Sequence, residues 1–533
     1  MRTRFALAML LVVQLVLGSY GIAQRVVWGH AGWHLAEHGA SVRNFLAHGT
    51  WIPAAWYERT EPPRASFSFH HPFLLHPYLA ASVAVFGEHP WAFRIVPLAF
   101  SVVALVALFA FTRRARDPAT ALLAVALFVL HPSNLAFSHL PDHQIVAIAW
   151  ALIAFVFMLR WLYMPRWLDA LGFLVPSALA GLTDWPWYPT ALFAWLMMGA
   201  RVLRAEPGGP FAANRAQRHG RIVLIVFALI VGTTFAQHFV TAEMLGRWGS
   251  IQDGFFGRSG SIPTHTMLTA LWRRDRTMHA VILPVLAAVW LAWVLRARRR
   301  DPATLLMIAW ILGATTHLIL FRREFALHEY RTHWYVPAFA FAVADGMRAF
   351  ARRDEHVRWR RVVPVALVLV WVGSFGAYAW WRARRTGGVM DMDLAAYTTH
   401  DDEFALAAMT DAHRHPYDRG FAAVSSYLRV EVPWLAHCDI TACLNPAPVF
   451  RTTAKGTPVI VFGEWPALRD APGWRDLASS AHAIVLGGHA MLVRHPDEPV
   501  EVETWHLVQP TERRSALDAY LHASWLRDPI AVR

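Results

Sequence analysis

Eleven stretches of the chain are apolar for long enough to cross a bilayer as helices: 5–23, 92–112, 118–132, 143–164, 167–184, 187–204, 221–241, 279–297, 302–321, 334–350 and 361–381. The first follows Met-Arg-Thr-Arg and reads as an anchor, because Phe5 to Ile22 is long and Tyr-Gly-Ile-Ala is a poor cleavage site. A cleaved signal peptide is the alternative, and either reading sends the next segment outward. Outside the spans lie two longer pieces, a loop from about 24 to 91 that is too apolar to be a free linker and a tail from about 386 to 533. The tail mixes a helix-like stretch (Gly420 to Arg429) with strand-like ones at Thr457 to Phe462, Ala483 to Leu486 and Ala490 to Arg494. The predicted fold is therefore mainly α: a polytopic helical membrane domain, residues 1–385, followed by a small α/β domain, residues 386–533.

Charge sets the orientation. Arg113, Arg114 and Arg116 follow the second span, and Arg160 and Arg166 the fourth. Arg201 to Arg221, Arg296 to Arg300 and Arg352 to Arg361 form further clusters after spans six, eight and ten. All fall on the side of the N-terminus, which the positive-inside rule makes cytoplasmic. The tail then lies outside the cytoplasm, as expected of a multi-pass protein of a bacterial inner membrane. Arg382, Arg384 and Arg385, after the last span, depart from the rule.

Composition agrees. Of 533 residues 56% are hydrophobic and only 16% charged, against about 25% charged in soluble domains. This excludes a disordered chain, a collagen and a small disulfide scaffold. The net charge of +13 does not indicate nucleic acid, because the arginines flank apolar runs and do not form one basic face. Cys438 and Cys443 suit neither a zinc site nor a redox motif; they read as a small disulfide loop or as two buried thiols.

The first outer loop carries the densest chemistry. Gly29 to Gly49 reads as one interfacial helix stopped by glycine, and it bears His30, His34 and His38 on one face. These histidines could hold a divalent metal, or they could be the wet face of the helix. Further on come Phe69-His-His-Pro-Phe-Leu74 and Phe86-Gly-Glu-His-Pro-Trp-Ala-Phe-Arg94. Later segments are Pro132 to Asp142, and His328-Glu-Tyr-Arg-Thr-His-Trp-Tyr-Val-Pro337. Asp184-Trp-Pro-Trp187 reads as a break between two short spans.

In this order the motifs resemble membrane glycosyltransferases of the GT-C superfamily, and most closely bacterial relatives of protein O-mannosyltransferases and of the lipid A aminoarabinose transferase. The resemblance covers about the first 350 residues and does not extend to the tail. It implies transfer of a sugar from a polyprenyl-phosphate donor to an acceptor glycan, lipid or protein on the outer face.

Such a reaction needs fixed cations for the phosphate that leaves and a general base for the acceptor hydroxyl. Arg43 fits the phosphate role, as does His71, which stands where relatives carry a phosphate-binding lysine. His70, Arg94, Arg331 and Tyr335 are further candidates for the same pocket. For the base, relatives carry an acidic residue early in the first loop, where this chain has His34. Asp142 is therefore ranked first, Glu37 second, and His34 is retained as a third candidate. Asp142 also suits a helix cap after Pro141, Arg43 and Arg94 also suit anchors at the membrane surface, and His70-His71-Pro72 could simply shape a turn. A degenerate transferase, or a non-catalytic transporter or binding protein for lipid-linked glycans, is the alternative. A transporter would place ionisable groups at mid-depth of its spans, and this chain offers almost none there.

Overall fold

Each of the eleven apolar stretches folds as a helix. The structure is a computed structural model. It describes residues 2–23, 30–54, 56, 61–204, 209–252, 263–322, 325, 329–353 and 358–386, with six strand segments beyond. In chain order the helices are α1 (Arg2–Ser19), α2 (His30–His48), α3 (Leu75–Phe86), α4 (Pro90–Ala115), α5 (Pro118–Leu130), α6 (Pro132–Phe137), α7 (His143–Tyr163) and α8 (Trp167–Gly181). There follow α9 (Trp187–Arg204), α10 (Asn214–Met244), α11 (Trp248–Ile251), α12 (Thr264–Met278), α13 (Ile282–Arg296), α14 (Pro302–Leu320), α15 (Val336–Arg353) and α16 (Arg358–Thr386). A 3-10 segment, Glu329–Tyr335, leads into α15.

Among the described residues six helices are long and apolar enough to cross a membrane, namely α1, α4, α7, α10, α14 and α16. The apolar helices α5, α8 and α13 are shorter. Outward faces are apolar as well: Leu168, Leu171 and Val175 on α8, Ile225 and Leu229 on α10, and Leu367 and Val370 on α16 are all exposed. A soluble protein does not leave such faces wet; an integral membrane protein turns them to lipid.

The described chain divides into two units. One comprises Met1–Ile22, Phe69–Leu75 and Arg94–Met390; the other comprises Ala23–Ser68, His76–Phe93 and Asp391–Arg533. Within the first, buried side-chain amides tie helices together. The Gln14 amide donates to Ser101 at 3.1 Å, and Asn134 donates to Gln14 at 2.8 Å. Such bonds hold helices that gain no hydrophobic drive from lipid. Gly313 of α14 lies so close to the Thr190 backbone of α9 that a Cβ there would clash.

Arg116 and Arg299, from two of the arginine-rich junctions of this unit, meet in one ion-pair knot. The tetrapeptide Asp-Pro-Ala-Thr opens both α5 and α14. Asp117 caps α5 through Ala119 and Thr120, and Asp301 caps α14 through Thr304. Arg116 bridges Asp345 at 2.6 Å and Asp301 at 3.0 Å. Arg299 and Trp290 also reach Asp345. The Asp301 carboxyl, although burial raises it, is held below its ordinary range by Arg116 and Thr304.

In the C-terminal part six strands form one sheet: β1 (Arg419–Ala423), β2 (Ile440–Cys443), β3 (Val459–Glu464), β4 (His482–Leu486), β5 (His489–Arg494) and β6 (Val502–Trp505). Their order is β2-β1-β3-β5-β4-β6. The β1/β2, β1/β3 and β4/β6 pairs are parallel, whereas β5 is antiparallel to both neighbours. The three strand-like stretches in the tail are thus strands. The helix-like reading of 420–429 is corrected: residues 419–423 are a strand paired on both edges, and that pairing overrides the helical preference of Ala422 and Ala423. Cys438 and residues 424–429 lie outside the described residues.

Replacing Arg116 by alanine removes one partner from the buried Asp345, which keeps Arg299 and Trp290, and one from the partly exposed Asp301, which keeps Thr304. The expected loss is about 1–3 kcal/mol, read as a lowered thermal midpoint in detergent; Arg114→Ala should leave the midpoint unchanged.

Candidate functional site

The His70-His71-Pro72 turn is fixed by its own backbone. His238 of α10 donates to the Phe69 carbonyl at 2.6 Å. The Trp185 indole donates to the His70 carbonyl at 2.8 Å, and Leu74 N–H donates to Leu182 O at 2.9 Å. Pro72 adds rigidity and removes one donor. His70 points outward and exposed, whereas His71 is half-buried.

Asp184 comes from the turn between α8 and α9, one residue before Trp185. Its Oδ1 lies 3.2 Å from His71 Nδ1 and accepts from Trp185 N–H at 2.9 Å. Arg331 comes from the 3-10 segment, which is pinned by tryptophans: Trp310 donates to Trp334 O at 2.7 Å, their rings stack 5.0 Å apart, and Trp334 donates to Thr190. So held, Arg331 Nη2 reaches His71 Nε2 at 2.9 Å. Its Nη1 lies 3.8 Å from Asp184 Oδ2, with the two side chains 2% and 0% exposed.

Asp142 and His143 adjoin this group at the start of α7. The His143 ring stacks on His71 with centroids 4.5 Å apart. Asp142 Oδ1 is 3.7 Å from His143 Nδ1, and Asp142 also caps α7 by accepting from Gln144 N–H at 3.4 Å. Beside Asp142 stand three buried histidines. His131 and His279 share a 3.1 Å contact. Burial lowers His333 to about 4, against the opposing charge of Asp142.

Of the nine residues expected from the sequence, His71, Asp142 and Arg331 come together in the first unit. The Tyr335 hydroxyl donates to Thr315 at 3.3 Å, and its ring lies 6.3 Å from that of His279. Arg94 is buried and donates to the carbonyls of Gly21 and Ile22, just beyond the end of α1. In the second unit, α2 carries Arg43 and stops at Gly49 with φ +68°, as the sequence indicated. Arg43 forms a 2.6 Å ion pair with Glu88. Glu37 is half-buried on the same helix, where its carbonyl accepts from Ser41. His34 faces His38 with ring nitrogens 3.4 Å apart, and His38 faces His76 at 3.1 Å. The side chain of His30 lies outside the described residues.

Asp184 and His143 were not singled out from the sequence as site residues. The signal for Asp184 was present, since an acid between two apolar spans is costly without a partner. His143 and His76 gave none, because their roles depend on residues distant in the chain.

Residues 70–234 match the family model described as dolichyl-phosphate-mannose-protein mannosyltransferase. The match begins at the His-His-Pro turn and takes in Asp142, His143 and Asp184. Among solved structures, ArnT from Cupriavidus metallidurans bound to undecaprenyl phosphate has a TM-score of 0.59 at 13% identity, covering 91% of this chain and 97% of that one. An oligosaccharyltransferase from Archaeoglobus fulgidus, tethered with an acceptor peptide, has a TM-score of 0.52 at 13% identity, covering 88% and 69%. The same enzyme in complex with Zn and sulfate gives 0.51 at 14% identity, covering 91% and 73%. No curated protein matches the chain. The chain therefore resembles the GT-C transferases in fold, and in sequence over the matched segment.

Proposed function

We propose that the protein is a membrane glycosyltransferase that moves a sugar from a polyprenyl-phosphate donor to an acceptor on the outer face of a bacterial inner membrane. The observation that carries this reading is the convergence of a buried guanidinium, Arg331, and an imidazole, His71, beside two carboxylates, Asp184 and Asp142, at helix ends. The positive groups suit a phosphate whose charge grows as the glycosidic bond breaks. Asp142 suits the general base, taking the acceptor's proton. Glu37 and His34 are the other candidates for that role. The ArnT likeness supports a lipid phosphate as the leaving group, and the oligosaccharyltransferase likeness supports an outer-face acceptor. With the arginine clusters cytoplasmic, the C-terminal sheet lies outside the cytoplasm.

A divalent cation suits α2. The nitrogens of His34 and His38 are 3.4 Å apart, close to the roughly 3.3 Å between two imidazole donors on one tetrahedral zinc. His76 bonds the far nitrogen of His38 and would orient that ring as an outer-shell partner does. Bound there, the ion would supply positive charge.

Purified in detergent and given lipid-linked sugars, the wild type is expected to release polyprenyl phosphate. Asp142→Asn should cut the rate by about tenfold or more, and Glu37→Gln by less. Equal, small effects of both would remove Asp142 from the role of base; no release from any donor would remove the reading. Metal content, measured by mass spectrometry, should fall from about one divalent ion per chain to near none when His34 and His38 are both alanine. An unchanged content would place the metal elsewhere.

A further inference from the structure

The Arg331–His71–Asp184 contact fixes a protonation state. A guanidinium has five donors and no acceptor, so the 2.9 Å approach of Arg331 Nη2 to His71 Nε2 requires a lone pair on Nε2. The imidazole proton is then on Nδ1, where it is donated to Asp184 Oδ1 at 3.2 Å. His71 is thus neutral while Arg331 rests on it. The three side chains together carry no net charge, with the imidazole bridging a buried ion pair.

An anionic phosphate changes this balance. The guanidinium turns a donor to a phosphate oxygen, and Nε2 loses the hydrogen bond it was accepting. Two acceptors, Nε2 and a phosphate oxygen, would then face each other in a poorly hydrated site. A proton on Nε2 resolves the conflict: Nε2–H donates to phosphate while Nδ1–H stays on Asp184. Charges again cancel, with Arg331 and His71 positive against Asp184 and a singly charged phosphodiester. We infer that phosphate engagement by Arg331 is coupled to uptake of one proton at His71, with Asp184 as the positioning residue that holds the imidazole for it. The inference rests on the reading that this site takes a lipid phosphate.

During transfer the bond from the acceptor oxygen to the sugar's anomeric carbon forms as the carbon–oxygen bond to phosphate breaks. The electron pair stays on the phosphate, whose charge goes from −1 to −2, and the acceptor's proton goes to Asp142. The His71 proton comes from solvent on binding and is placed against the growing charge. The groups facing His71 are Asp184 from the α8–α9 turn, Arg331 from the 3-10 segment, and His143 with Asp142 from the head of α7. His238 of α10 bonds the backbone at Phe69, two residues away. The two carboxylates favour the imidazolium; Arg331 opposes it until phosphate shares its charge.

The test is titration calorimetry of the full chain in detergent with didecyl phosphate, a phosphodiester that stays singly ionised from about pH 6 to 9. Buffers of different ionisation enthalpy report the protons exchanged. The wild type should take up about one proton per lipid at pH 8, and its affinity should fall about tenfold between pH 7.5 and 8.5. His71→Lys, a permanent cation, should bind with no uptake and no pH slope. Asp184→Asn should reduce uptake at pH 8 and move the slope to lower pH. Wild-type binding without proton uptake overturns the inference, as does a His71→Lys slope equal to that of wild type, or no wild-type binding at any pH. Transfer activity without proton uptake sinks this inference and leaves the functional reading. Proton-coupled binding without transfer does the reverse.

Discussion

Burying a guanidinium and a carboxylate costs several kcal/mol each unless they meet, and Arg331 and Asp184 are both almost wholly buried. They stand 147 residues apart in sequence, on different helix junctions, and the imidazole of His71 joins them from a third. Removing any one of the three would leave an orphan, so the segments that carry them are locked from behind. Trp310 and Trp334 pin the 3-10 segment. Trp185 and His238 hold the backbone of the histidine turn. The aromatic density of the interior thus positions a polar centre.

That centre and the arginine knot lie at opposite ends of the same helices. α7 starts at the site, with Asp142 as its cap, and after 21 residues ends near Arg160, paired with Asp169. This is a rise of about 30 Å, the thickness of a hydrocarbon core. At the knot every charge is spent on another protein charge. At the site Arg331 faces Asp184 at 3.8 Å and also rests on the His71 imidazole at 2.9 Å, a partner that an anion can displace. The first arrangement suits a scaffold and the second a ligand.

The helices were legible in the sequence because a bilayer demands long apolar runs, and all eleven runs became helices. The stop of α2 at Gly49 and the break at Asp184 were legible as local chemistry. Strand β1 was misread because Phe421-Ala-Ala carries no helix-breaking residue and its fate is set by partners forty residues on. Within the site, His71, Asp142 and Arg331 were marked by motif spacing. Asp184 and His143 were not, since their meaning lies in contacts with residues over seventy positions away. The Arg43–Glu88 pair was equally hidden, and the sequence offered Arg43 only as a cation awaiting phosphate.

The account stands on the claim that a lipid phosphate is held where Arg331 meets His71. A structure of the chain with undecaprenyl phosphate bound tests it most directly. The account predicts phosphate oxygens within hydrogen-bond distance of both Arg331 and His71 Nε2, the Arg331–His71 contact opened, and Asp184 still on Nδ1. A phosphate bound elsewhere, with Arg331 still resting on His71, would contradict it.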